Sequence, residues 1–204
     1  DLKSIGGKLL IKPDEFKTSA DKKKEEKSIL FLPKGSNTIY YSSYGDNPLD
    51  GKDIYTSTKQ ADNSFSKGEK VSGINTEFDE DYPFLHPDGK TIYFASDMPG
   101  GKGGVDIYKI TLSKDSTWST PKNLGDTINT EGNEMFPFYH KNGVLYFASN
   151  GHVGLGGLDI FTCNLNKAHK VLNIGFPIND HFDDFALILN ATQTGGFFSS
   201  NREG

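Results

Sequence analysis

Three aspartates recur at one spacing. Asp53, Asp106 and Asp159 each open an Asp-Ile-aromatic triplet, and successive copies lie 53 residues apart. A carboxylate beside glycines could ligate a metal, move a proton, or accept backbone N–H groups. The glycines ahead of the second and third copies (Gly100, Gly101, Gly103 and Gly104; Gly154, Gly156 and Gly157) also have a superficial look of a phosphate cradle. Neither G-x-G-x-x-G nor G-x-x-x-x-G-K-[ST] is completed, and no helical pattern follows, so a nucleotide site is excluded. The run from Asp46 to Gly51 has Pro48 at a ligand position and no closing Glu, which rejects an EF-hand. The histidines His86, His140, His152, His169 and His181 contain no i, i+4 pair of the helical zinc type. No G-x-S-x-G elbow is present, and no carboxylate is singled out by an apolar setting that would raise its pKa. The expectation is therefore no catalytic residue, no metal and no cofactor. Asp53, Asp106 and Asp159 read as structural: each sits at a loop-to-strand junction where its carboxylate can accept loop N–H groups. Gly104 and Gly157 permit an unusual backbone path beside them.

The elements that carry these residues repeat with them. An apolar strand ending in Ser precedes each triplet: Thr38 to Ser43, Thr91 to Ser96, Val144 to Ser149, with a fourth copy from Gly195 to Ser200. A turn precedes each strand, as in Pro87-Asp88-Gly89-Lys90 and Lys141-Asn142-Gly143, where Asp-Gly and Asn-Gly predict tight hairpins with positive φ at both central residues. Before the turns lie further strands: Ile29 to Leu32, Tyr82 to Leu85, Met135 to Tyr139 and Phe185 to Leu189. Links such as Ile74-Asn75, Ile128-Asn129 and Ile178-Asn179 recur between units, and an acidic pair or near-pair opens the next one: Glu80-Asp81, Asn133-Glu134 and Asp183-Asp184. Four antiparallel strands per unit of about fifty residues predict an all-β fold, a β-propeller. The blades fall at about 28–79, 80–132, 133–182 and an incomplete 183–204, some three and a half blades, and imply a larger propeller of six or more. Residues 1–27 read as an N-terminal segment with one strand of a preceding blade, Lys8 to Lys12, and a charged loop, Lys22 to Lys27. The aromatics that alternate along the strands read as core.

Composition agrees with short strands and tight turns: 15 Phe, 9 Tyr and 23 Gly among 204 residues. A net charge of −5 argues against a nucleic-acid surface. No apolar run approaches the ~18 residues of a membrane span. Cys163, the lone cysteine, allows no intrachain disulfide and reads as a small buried hydrophobe. The chain opens Asp1-Leu2-Lys3, as a processed chain or a fragment would.

The run from Glu80-Asp81-Tyr82-Pro83-Phe84, through Pro87-Asp88-Gly89-Lys90-Thr91-Ile92-Tyr93-Phe94-Ala95-Ser96-Asp97, to Gly100-Gly101-Lys102-Gly103-Gly104-Val105-Asp106-Ile107-Tyr108 resembles the TolB-type (WD-like) β-propeller repeat. The Gly-rich variant is similar to that of Bacteroidota envelope proteins, including OmpA-family and PorE-like accessory lipoproteins of the type IX secretion system. The resemblance implies a periplasmic, outer-membrane-associated protein. Its partners would be other envelope or secretion-system proteins, with peptidoglycan reached through a domain absent from this chain. On that basis the expected function is a non-catalytic protein-binding scaffold. The alternatives are a propeller binding a glycan or peptidoglycan fragment and a propeller enzyme acting on polysaccharide or peptide. Tyr44, Asp97, Asn150 and Asn201, which follow the Ser-ending strands, are the expected partner-facing positions.

Overall fold

The computed structural model describes residues 36–45, 51–167 and 170–202. The N-terminal segment, the strand at Ile29 to Leu32, the loop Asp46 to Asp50 and His169 lie outside the described residues. The described chain is all-β. Strands β1 (Thr38–Tyr44), β2 (Lys52–Thr58) and β3 (Glu69–Lys70) form the first sheet. The second holds β4 (Glu80–Leu85), β5 (Thr91–Ser96), β6 (Asp106–Thr111) and β7 (Lys122–Asn123). The third holds β8 (Glu134–Tyr139), β9 (Val144–Ser149), β10 (Asp159–Asn164) and β11 (Val171–Asn173), and β12 (Asp184–Leu189) pairs with β13 (Gly196–Ser200). Every sheet is an antiparallel meander in chain order, as β-propeller blades are. No helix of the described residues is long and apolar enough to cross a membrane.

The register repeats with the sequence. Ile54 opposes Ser42, Ile107 opposes Ala95, and Ile160 opposes Ala148. These isoleucines are fully buried. One apolar cluster joins Ile54, Val71 and Ile74 of the first sheet to Leu85, Ile92, Phe94 and Tyr108 of the second. Another joins Phe84, Tyr93 and Ile107 to Phe138, Phe147 and Phe161 of the third. The core thus lies between the faces of successive sheets, where each blade buries apolar surface it cannot cover alone. Cys163 belongs to this layer, and burial pushes its thiol up.

The hairpins differ from expectation. Only the glycine of each turn takes positive φ, Gly89 at 68° and Gly143 at 92°, and Gln193 stands at 59° in the fourth. Asp88 instead spends its carboxylate on the N–H groups of Lys90 (2.7 Å) and Thr91 (2.9 Å), which favours a wider loop over a two-residue turn. Strands β4, β8 and β12 also bulge, with register breaks between Asp81 and Phe84, Met135 and Phe138, and Phe185 and Ile188. A left-handed residue sits in each bulge: Tyr82 (φ 52°), Phe136 (54°) and Ala186 (52°).

Candidate functional site: the inner edges of the blades

The Asp-Ile-aromatic carboxylates are buried and each is engaged through at least one oxygen, while Asp159 Oδ1 has no hydrogen-bond partner among the described residues. Asp106 accepts from the Lys102 and Gly103 N–H groups and from Asn123 Nδ2 (2.8 Å). Asp159 accepts from the N–H groups of Leu155 and Gly156. Asp53 lies in a shorter loop, and its Oδ2 meets Lys70 Nζ at 2.6 Å. Gly104 donates to Gly132 O at 2.9 Å, and a Cβ there would stand 2.4 Å from Asn133 Oδ1. At Gly157 it would stand 2.1 Å from Asp183 Oδ1. Both glycines let the next blade's entry loop come this close.

Three of the four expected partner-facing positions tie the end of a strand to the residue that enters the same sheet. Asp97 Oδ1 accepts from Asp79 N (2.9 Å), Asn150 Oδ1 from Asn133 N (2.8 Å), and Asn201 Oδ1 from Asp183 N (2.8 Å). The side chains so reached accept in turn from the blade before: Asp79 from Lys52 N (2.6 Å), Asn133 from Val105 N (3.0 Å) and Asp183 from Leu158 N (2.8 Å). Tyr44 breaks the series; its ring is exposed, with Lys52 Nζ 5.4 Å from its centroid.

Residues the sequence reading passed over hold the junctions more firmly. Asn129, fully buried, accepts from Ile107 N (2.9 Å) and donates to Ile107 O (3.0 Å). Asn75 does the same to Ile54, and Asn179 to Ile160. One amide thus replaces a strand partner. The signal was the recurring Ile-Asn dipeptide. The buried acids Glu80 and Glu134 each take a Thr N–H, a Thr hydroxyl and a Ser hydroxyl. Here the expectation that no carboxylate has a pKa raised by burial is corrected: burial raises Glu80, and its hydrogen bonds from Thr76 and Ser96 only partly oppose that.

The bulges do something further. Strands β4, β8 and β12 are the edges of their sheets and lie side by side. The left-handed residues swing aromatic rings along this inner edge. Tyr82 and Phe136 have ring centroids 3.9 Å apart, and Phe136 and Phe185 5.0 Å. All three rings are half-buried, so the reading of the strand aromatics as core holds for Phe84 and Phe138 but not for this row. At its first-blade end Lys52 Nζ pairs with Asp81 Oδ2 at 2.7 Å, and Asp81 Oδ1 accepts from Ser42 Oγ and Tyr82 N. Burial alone would lower the Lys52 ammonium, but Asp81 outweighs it and holds it above its ordinary value. At the other end of the strands, His86, Tyr93 and Tyr139 cluster. The latter two stack at 5.7 Å, and burial foremost pushes Tyr93 up to about 12. Among the described residues no group of three or more His, Cys, Asp or Glu is arranged to hold a metal.

The sheets, their register and the shared inner edge define a β-propeller. No family model and no curated protein matches the chain. Solved structures similar to it include two enzymes. One is a puromycin-hydrolyzing peptidase of Mycobacterium tuberculosis, at 16% identity and a TM-score of 0.50, covering 80% of this chain and 26% of the peptidase. The other is an alpha-L-arabinofuranosidase from Lactobacillus brevis, at 11% identity and a TM-score of 0.47, covering 82% of this chain and 63% of that one. The chain thus spans about a quarter of the peptidase's length. The expectations of a non-catalytic scaffold and of no enzyme are corrected here. They rested on the lack of a complete catalytic constellation, and blades of similar fold make up only about a quarter of a protein that is a peptidase.

Proposed function

We propose that these blades are the substrate-binding propeller of an enzyme that acts on peptides. The observation that carries the reading is the row Tyr82, Phe136 and Phe185. Two of its rings are brought to the inner edge by left-handed backbone, Tyr82 directly and Phe136 likewise. Such a conformation costs free energy in a non-glycine residue and recurs where a side chain must be aimed. Half-buried flat rings offer apolar area at small cost in conformational entropy, as binding sites require. The likeness to a puromycin-hydrolyzing peptidase supports peptide as the substrate class. On this reading, groups elsewhere in a longer protein supply the chemistry and the row holds the substrate beside them. The repeat's resemblance to Bacteroidota envelope propellers supports a periplasmic setting.

The test is turnover by the full-length native protein, offered aminoacyl and peptidyl p-nitroanilides beside a panel of p-nitrophenyl glycosides. Release of p-nitroaniline is expected. Cleavage of glycosides alone would overturn the substrate class. Failure to bind or cleave any member of either panel would overturn the reading.

A further inference from the structure

Three equivalent positions surround the start of each inner strand, and they change character together. At the junction of the second and third sheets they are Ala95, Val105 and Met135, and at the next junction Ala148, Leu158 and Phe185. At the first junction they are Ser42, Lys52 and Asp81, joined into one hydrogen-bonded set. The chain therefore shows twice that apolar side chains close this junction. Exchanging a largely buried ion pair for apolar residues of similar volume is commonly neutral or stabilising. Stability thus gives no reason for the polar set, and its place at the end of the aromatic row supplies one.

The groups left to the outside are donors. Asp81 has its oxygens taken by Ser42 Oγ, Tyr82 N and Lys52 Nζ, and Asp79 Oδ1 is taken by Lys52 N. The Lys52 ammonium has three N–H groups, and its side chain keeps a quarter of its surface exposed (25%). It stands 5.4 Å from the centroid of the Tyr44 ring, and Tyr82 N donates to the same Asp81 carboxylate that Lys52 binds. Resting on the peptide-binding reading above, we infer that Lys52, with the hydroxyls of Tyr44 and Tyr82, binds a carboxylate of an acidic peptide substrate while the adjoining aromatic row packs its backbone. Asp81 is a positioning residue: it holds the ammonium by the Tyr44 ring and directly precedes Tyr82 in the chain.

The experiment titrates two acetylated, amidated peptides into the full-length protein by calorimetry, one carrying Glu at successive positions and its twin carrying Gln. A charge-assisted hydrogen bond in place of a neutral one predicts roughly 10- to 100-fold tighter binding of the Glu peptide. The variant combining Ser42→Ala, Lys52→Val and Asp81→Met installs the set already present at the next junction. It is expected to melt with the wild type and to bind both peptides equally, at the Gln peptide's affinity. If wild type binds both peptides alike, or the triple variant keeps the preference, the carboxylate site is refuted and peptide binding stands. If neither peptide binds, the peptide-binding reading itself falls.

Discussion

Removing one side-chain amide should cost this fold as much as removing a large core residue. Asn129 lies between blades with no exposed surface and satisfies both backbone groups of Ile107. Its amide also donates to Asn123 Oδ1 at 2.7 Å. Asn129→Ala leaves the buried Ile107 N–H without this acceptor, while the Ile107 carbonyl keeps the bond from Leu124 N (3.1 Å). An orphaned buried group costs about 1–3 kcal/mol, so a loss of roughly 2 kcal/mol is expected. In a chain of this size that corresponds to a fall in Tm of about 4–8 °C. Asn129→Asp keeps the acceptor but turns a carboxylate oxygen toward Ile107 O and Asn123 Oδ1, so it should be at least as damaging. Urea unfolding and calorimetric melting of both variants measure this. A loss under about 1 kcal/mol in Asn129→Ala would refute the claim that the amide stands in for a strand partner.

Other expectations follow from equally specific contacts. Gly103→Ala places a Cβ 2.4 Å from Thr130 O and 2.5 Å from Gly132 O. Backbone oxygens cannot swing aside, so about 2 kcal/mol or more should be lost in a urea titration. Gly125→Ala meets nothing within 4 Å but sits at φ 82°, so only the left-handed strain of about 1–2 kcal/mol is expected. Burial, the largest influence on Glu80, raises its carboxyl above the ordinary 4.5, so the folded chain holds that proton more tightly than the unfolded one. The contribution of this group to stability therefore falls as pH rises above about 4.5. The Tm difference of Glu80→Gln over wild type should accordingly grow between about pH 4 and 7, and a shrinking difference would contradict the assignment. In alkaline difference spectroscopy Tyr93 should ionise near 12, and Tyr93→Phe should remove that late step.

The fold was legible because its signal is redundant. The 53-residue spacing of Asp53, Asp106 and Asp159 becomes three sheets in one register, with Ile54, Ile107 and Ile160 buried at the same point. The turns were legible in place but not in type, since the hairpin rule ignores the Asp88 carboxylate that competes for the loop's N–H groups. The inner edge was hidden for a different reason. Alternation separates the two faces of a strand, whereas a bulge takes a residue off both, and the residue before a proline is expected to be extended. Tyr82 and Phe136 precede Pro83 and Pro137 and are nonetheless left-handed. The Asn clamps were visible as a recurrence without a role, because the strand edge each one serves lies some twenty residues earlier in its own unit. The departure of Ser42, Lys52 and Asp81 from their apolar counterparts is written in the sequence. It acquires meaning only once the three are known to meet.

The central claim is that the inner-edge aromatics hold a peptide. Its most direct test is steady-state kinetics of Phe136→Ala in the full-length protein, on whichever peptidyl p-nitroanilide it cleaves best. Alanine is tolerated in this backbone, since Ala186 occupies the equivalent bulge at φ 52°. Loss of the central ring is expected to raise KM about tenfold, as for the removal of roughly 1.4 kcal/mol of binding, with kcat within about twofold of wild type. An unchanged KM in a folded variant would contradict the account.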